Sequence, residues 1–182
     1  MEMKTRPPMK GRRVGKEWLF IPIAKNAHRS VVRAILDSNH NGGVVYWNHV
    51  PQELKTIVLM REPLDRLWST YRMFRGHWGT ELPIPSFNYF VGSLLRGRAV
   101  KHRKRNVTPD DQHIRTQWES MGSVMPDVLI KWDMDKLASI LDLELPHIGQ
   151  GDDVVEEKLN AETQILFENY YRKDLEIWNG NT

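Results

Sequence analysis

The feature that most restricts the fold of this chain is a repeated change of period, in which short, almost wholly apolar runs give way to segments with apolar residues at helical spacing. WLFIPI (18–23) is one such run, and the stretch from Ser30 to Leu36 then sets Val31, Ile35 and Leu36 at helical intervals. VVYWN (44–48), TIVLM (56–60) and DVLIKW (127–132) repeat the apolar signal. A continuous apolar run of this length suits a strand covered on both faces, and such strands belong to parallel sheets. The pattern predicts an α/β chain, a single domain with a mostly parallel central sheet flanked by helices. Ligands of such folds bind at the carboxyl ends of the strands.

Helix boundaries are marked by residue type. Pro63 stands where a missing N–H is harmless, and Leu64, Leu67, Trp68 and Tyr71 form one stripe behind it. Ser86, Asp133 and Asn160 each precede a helical pattern as candidate caps. The last pattern is expected to be one long helix ended by Asn179 and Gly180, with Tyr170, Tyr171 and Trp178 packed in the core. Residues 76–85 (GHWGTELPIP) read as a loop, and the basic run 96–105 (RGRAVKHRKR) as a mobile segment. Residues 1–16 are expected to be a flexible basic tail and 17–182 the domain; neither an internal repeat nor a domain linker is visible.

Charge alone names no ligand, because 26 Lys and Arg are nearly balanced by 23 Asp and Glu. The absence of cysteine removes thiolate chemistry and disulfides, and a reducing, cytoplasmic setting is expected. The seven histidines are scattered without a metal-binding spacing, so no metal site is expected. The basic start lacks the apolar core of a signal peptide, and no apolar run approaches a membrane span.

Two strand ends carry the candidate chemistry. Residues 24–30 (AKNAHRS) form a polar turn between a strand and a helix, and contain no glycine with which to wrap a nucleoside triphosphate. A helix starting near Ser30 would still aim free N–H groups at the turn, beside the Lys25 ammonium and the Ser30 hydroxyl. A plain solvated turn is the competing reading. At the second end, Arg61 closes an apolar strand, and Arg66 and Ser69 follow on the helix. Arg66 could meet an anion or pair with Glu62 one turn away.

With both stretches in view, the sequence resembles the sulfotransferase family that uses 3′-phosphoadenosine 5′-phosphosulfate, closest to its carbohydrate branch. REPLDRLWSTY (61–71) is similar to the family's RDPxxRLxSxY junction, with Glu62 for the usual aspartate. IPIAKNAHRSV (21–31) follows the first-strand motif more loosely, with Arg29 where a threonine is usual. Fainter likeness continues through DDQHIRTQW (110–118), DVLIKWDMDKL (127–137) and YYRKDLEIW (170–178). The resemblance implies a P-loop-like sulfotransferase fold and metal-free in-line transfer to a hydroxyl acceptor, a saccharide among the candidates. It implies that Lys25, Asn26, Ala27, His28, Arg29 and Ser30 hold the 5′-phosphosulfate. Arg61 and Ser69 would then hold the 3′-phosphate, and adenosine 3′,5′-bisphosphate would leave as product.

Transfer needs a base for the acceptor hydroxyl, and histidine suits that work. His49, directly after VVYWN, is the first candidate, with Lys25 neutralising charge on the leaving group. His113 is the second candidate base and Glu53 a third. Trp78 is a candidate acceptor contact, since an aromatic face packs on a sugar ring. Two other functions fit parts of the pattern. A nucleotide kinase or phosphotransferase lacks its glycines here, and a basic module binding RNA or an acidic polymer lacks aromatic residues in the run 96–105. Nucleic acid is therefore not the expected partner, and the oligomeric state is left open.

Overall fold

A computed structural model describes residues 9–38, 43–47, 53–76, 86–101, 106–123, 125–146 and 157–180. The chain divides into two compact units. One comprises residues 1–60 and 120–148, the other residues 61–119 and 149–182.

The first unit is built on a sheet of five strands. They are β1 (Met9–Val14), β2 (Trp18–Phe20), β3 (Val44–Trp47), β4 (Lys55–Met60) and β7 (Val128–Lys131), in the order β3-β1-β2-β4-β7. β2, β4 and β7 run parallel, as their apolar sequences suggested, whereas β1 is antiparallel to both β2 and β3. The sheet is thus mixed, not mostly parallel. The change comes from β1, which falls in the stretch expected to be a flexible tail. MKGRRV has almost no apolar signal, yet it lies between two strands that satisfy its backbone on both sides. Gly11 is needed there, because a Cβ would come within 2.7 Å of the Leu19 side chain.

Helix α1 (His28–Asp37) buries Ser30, Val31, Ala34 and Ile35, while Leu36, expected on the apolar face, is exposed. Helix α5 (Met134–Leu141) begins on Asp133, whose carboxylate accepts the Lys136 N–H at 2.8 Å. Val14, Phe20, Val31, Ile35, Ile57, Leu59, Ile130, Leu137 and Leu141 close this unit's core.

The second unit contains α2 (Pro63–Gly76), α3 (Phe87–Leu95), the short ladder β5 (Val100–Lys101) with β6 (Asn106–Val107), and α4 (Gln117–Ser120), whose last residue belongs to the first unit. It ends with α6 (Ala161–Tyr170) and α7 (Arg172–Asn179). The expected final helix is two helices, broken at Tyr171, and α7 stops on Gly180 in the left-handed region. Leu67, Trp68, Tyr71, Phe74, Phe87, Phe90, Val107, Phe167 and Tyr171 form the core, with Trp68 edge-on to Phe87 at 4.8 Å between centroids. The basic run is ordered where it is described. Val100 is buried, and Arg96 donates to Glu162 at 2.6 Å. Residues 102–105 lie outside the described residues. Among the described residues no helix is long and apolar enough to cross a membrane.

Asp127 fastens the amino end of β4 beside β7. Its carboxylate accepts both the N–H and the hydroxyl of Thr56, at 2.7 and 2.8 Å, and these bonds hold its pKa below the ordinary aspartate value. A carboxyl lowered in the folded state stabilises above its unfolded pKa, and that contribution disappears as pH falls through the lower folded value. Asp127→Ala should therefore melt a few degrees below wild type at pH 7. The gap should close as the pH drops below about 3.9, as read by thermal melts across pH.

Candidate functional site

In the first unit, β1 is antiparallel to both β2 and β3, so β3 points the same way as β2, β4 and β7. Four carboxyl strand ends thus share one edge of the sheet. The turn of residues 24–27 leaves β2 at this edge and delivers the chain to α1. Its backbone does without glycine what glycine usually does, since Lys25 (φ 69°) and Ala27 (φ 53°) are both left-handed. For an L-residue that conformation costs about 1–2 kcal/mol, so the turn must be held by something else.

Asn26 supplies the hold. It is 1% exposed, and its Nδ2 donates to the Leu59 carbonyl of β4 at 2.8 Å, while its N–H bonds the Ile23 carbonyl at 3.2 Å. Ile21 N–H still follows the ladder to Ile57 O, and two residues further along β4 the side chain of Asn26 makes the bond. The result is a strained turn ending at a helix N-terminus. α1 has no acidic residue in its first turn, and Ala27, its cap, offers no side-chain acceptor. Alternating backbone conformations at such a point turn successive N–H groups toward one concavity, the geometry that favours an anion. Lys25 and His28 are half-buried here, Arg29 is exposed and Ser30 is buried.

In the second unit, Arg61 and Ser69 are 8% and 7% exposed. Arg61 is gripped through its backbone by one side chain. Its N–H donates to Gln117 Oε1 at 3.0 Å, and its carbonyl accepts from Gln117 Nε2 at 2.8 Å. Gln117 is itself fixed, because its N–H and that of Trp118 donate to the Asp174 carboxylate at 2.7 and 2.8 Å. Thr116 caps the same helix start, its hydroxyl oxygen accepting the Glu119 N–H at 3.1 Å and its hydroxyl lying 3.2 Å from the Glu119 carboxylate. Burial pushes the Asp174 carboxyl up, against the pull of these N–H donors and of Arg66.

Arg66 proves to be structural. It is fully buried, donating to the carbonyls of Arg115 and Gln112 at 3.0 and 3.2 Å, and burial lowers its pKa. Glu62 serves α2 by accepting the Asp65 N–H at 2.6 Å.

Of the other candidates, His49 and Trp78 lie outside the described residues, and Glu53 is exposed. His113 sits in the second unit with its Nδ1 2.7 Å from Asp111 Oδ1 and its ring edge-on to Phe74. Its carbonyl accepts the Thr70 hydroxyl. Sequence reasoning assigned no role to Gln117 or Asp174; the Thr116-x-x-Glu119 pattern was the available signal that a helix, and hence fixed side chains, begins there. An open groove of about 270 Å³, lined by residues 14–18 and 140–142, lies at the amino end of β2, the wrong end for the strand-edge chemistry. Among the described residues no cluster of potential metal ligands occurs. Compared with protein-family models, curated proteins and solved structures, the chain matches none.

Asn26→Ala should lower stability by about 1–3 kcal/mol, the loss of a buried hydrogen bond and its orphaned partner. Ala27→Gly, which relieves a left-handed residue, should cause no comparable loss. Denaturant unfolding of both variants measures the contrast.

Proposed function

We propose that this protein is a sulfotransferase, moving a sulfuryl group from 3′-phosphoadenosine 5′-phosphosulfate to a hydroxyl acceptor, with a saccharide as the acceptor class. The observation that carries the reading is the turn 24–27, where two left-handed residues other than glycine precede a helix with no acid in its first turn. Strain of this kind persists where the surroundings enforce it, and binding sites are where it gathers. The sequence resemblance at residues 21–31 and 61–71 supplies the identity of the anion.

In this reading the amides of Ala27, His28, Arg29 and Ser30, with the Lys25 ammonium and Ser30 hydroxyl, receive the 5′-phosphosulfate, while the Asn26 N–H, expected among them, stays on the Ile23 carbonyl. Arg61 and Ser69 receive the 3′-phosphate. The acceptor oxygen forms a bond to sulfur as the bond from sulfur to the bridging oxygen breaks. Lys25 offsets the charge growing on that oxygen, and His49 takes the acceptor's proton. His113 remains the second candidate base, since the Asp111 carboxylate at its Nδ1 is the kind of contact that orients an imidazole whose Nε2 takes a proton.

Adenosine 3′,5′-bisphosphate at about a hundred times its dissociation constant should add roughly 2.7 kcal/mol, a rise of roughly 5–10 °C in melting temperature. The rise should not depend on Mg²⁺, and Lys25→Ala and Arg61→Ala should each reduce it. His49→Ala should keep the nucleotide response and lose transfer by about 10²- to 10⁴-fold, whereas His113→Ala should keep turnover. An equal or larger response to ATP with Mg²⁺ would replace this reading with a phosphotransferase. Salt-sensitive RNA binding without a nucleotide response would replace it with a binding module.

A further inference from the structure

The second unit contains a short relay of buried polar groups that leads to Arg61. Asp174, on α7 and fully buried, accepts two N–H groups at the start of α4. Gln117, also fully buried, then reaches back and bonds the Arg61 N–H and carbonyl with the two ends of one amide. A side-chain amide used in this way does the work of a neighbouring strand, but for a single residue. It fixes both peptide planes flanking the Arg61 Cα, and so fixes the direction in which the Arg61 side chain leaves the backbone.

We infer that Gln117 is a positioning residue for Arg61, and that Asp174 sets Gln117 in place for that task. This rests on the proposed role of Arg61 as the 3′-phosphate ligand. A guanidinium recognises phosphate through directed N–H donors, so its value depends on where its stem begins and points. Pro63 stiffens the chain on the helix side of Arg61, and the amide clamp stiffens Arg61 itself. Selectivity for a 3′-phosphorylated nucleotide is thus built partly by a residue that touches no phosphate.

The test compares the affinity of the intact protein for adenosine 3′,5′-bisphosphate with its affinity for adenosine 5′-monophosphate, by calorimetric titration. The ratio isolates the 3′-phosphate, whereas general damage to the fold weakens both ligands together. Wild type should prefer the bisphosphate. Gln117→Leu should cut that preference by about ten-fold or more, the worth of a charged hydrogen bond, and leave the monophosphate affinity nearly unchanged. In an Arg61→Ala background Gln117→Leu should change the ratio no further, because Gln117 acts only through Arg61.

Asp174→Asn retains one carbonyl acceptor for the α4 start and serves where Gln117→Leu does not fold. It should lower the ratio in the same sense by a smaller factor. A wild type that prefers the bisphosphate, with folded variants that keep the full preference, overturns the positioning role alone. So does a loss of preference that adds to that of Arg61→Ala. A wild type with no preference overturns the donor reading, and the positioning role falls with it.

Discussion

The side chain of Asn26, buried at the end of β2 and bonded to the Leu59 carbonyl, is the contact on which the proposed site depends. It ties to β4 a turn that keeps Lys25 and Ala27 in left-handed conformations that their side chains resist. Glycine-rich phosphate loops obtain such shapes at little conformational strain and surrender much entropy on folding. This chain takes the other course, storing strain in the turn and holding it with a buried amide. The turn is therefore stiff, and a stiff set of N–H groups spends little on reorganising when an anion arrives.

The second unit solves a related problem with different parts. Arg66, Tyr171, Gln117 and Asp174 are all fully buried, and each spends its polar atoms on backbone rather than on solvent. Tyr171 donates to the Ile114 carbonyl, and burial raises its pKa far above the ordinary tyrosine value. Buried polar networks of this kind are costly when incomplete and rigid when satisfied. Here they pin the loop 110–116 and the start of α4, a stretch with little apolar content of its own. Arg66, which in sequence could meet an anion or pair with Glu62, is one of these pins.

Much of the fold was legible because apolar period and cap chemistry are local. β2, β4 and β7 followed from their continuous apolar runs, and Ser86, Asp133 and Asn160 cap helices through the expected side-chain acceptors. β1 was hidden because a strand held by neighbours on both sides needs no apolar pattern, and MKGRRV has little. The break at Tyr171 was hidden because tertiary packing, not propensity, divides α6 from α7. At the site, Lys25, Ser30 and Arg61 stood out as charges and hydroxyls at strand ends. Asn26 was taken only for its backbone amide, and its side-chain role depends on a partner 33 residues away. The Gln117 clamp spans 56 residues, a separation at which a lone glutamine carries no local signal.

The most direct measurement is a crystal structure of the protein soaked or grown with adenosine 3′,5′-bisphosphate. The 5′-phosphate should lie on the amides of residues 27–30 beside Lys25, and the 3′-phosphate within hydrogen-bond distance of Arg61 and Ser69. A nucleotide bound with its phosphates elsewhere, or a turn whose amides face no ligand at saturating concentration, would contradict it.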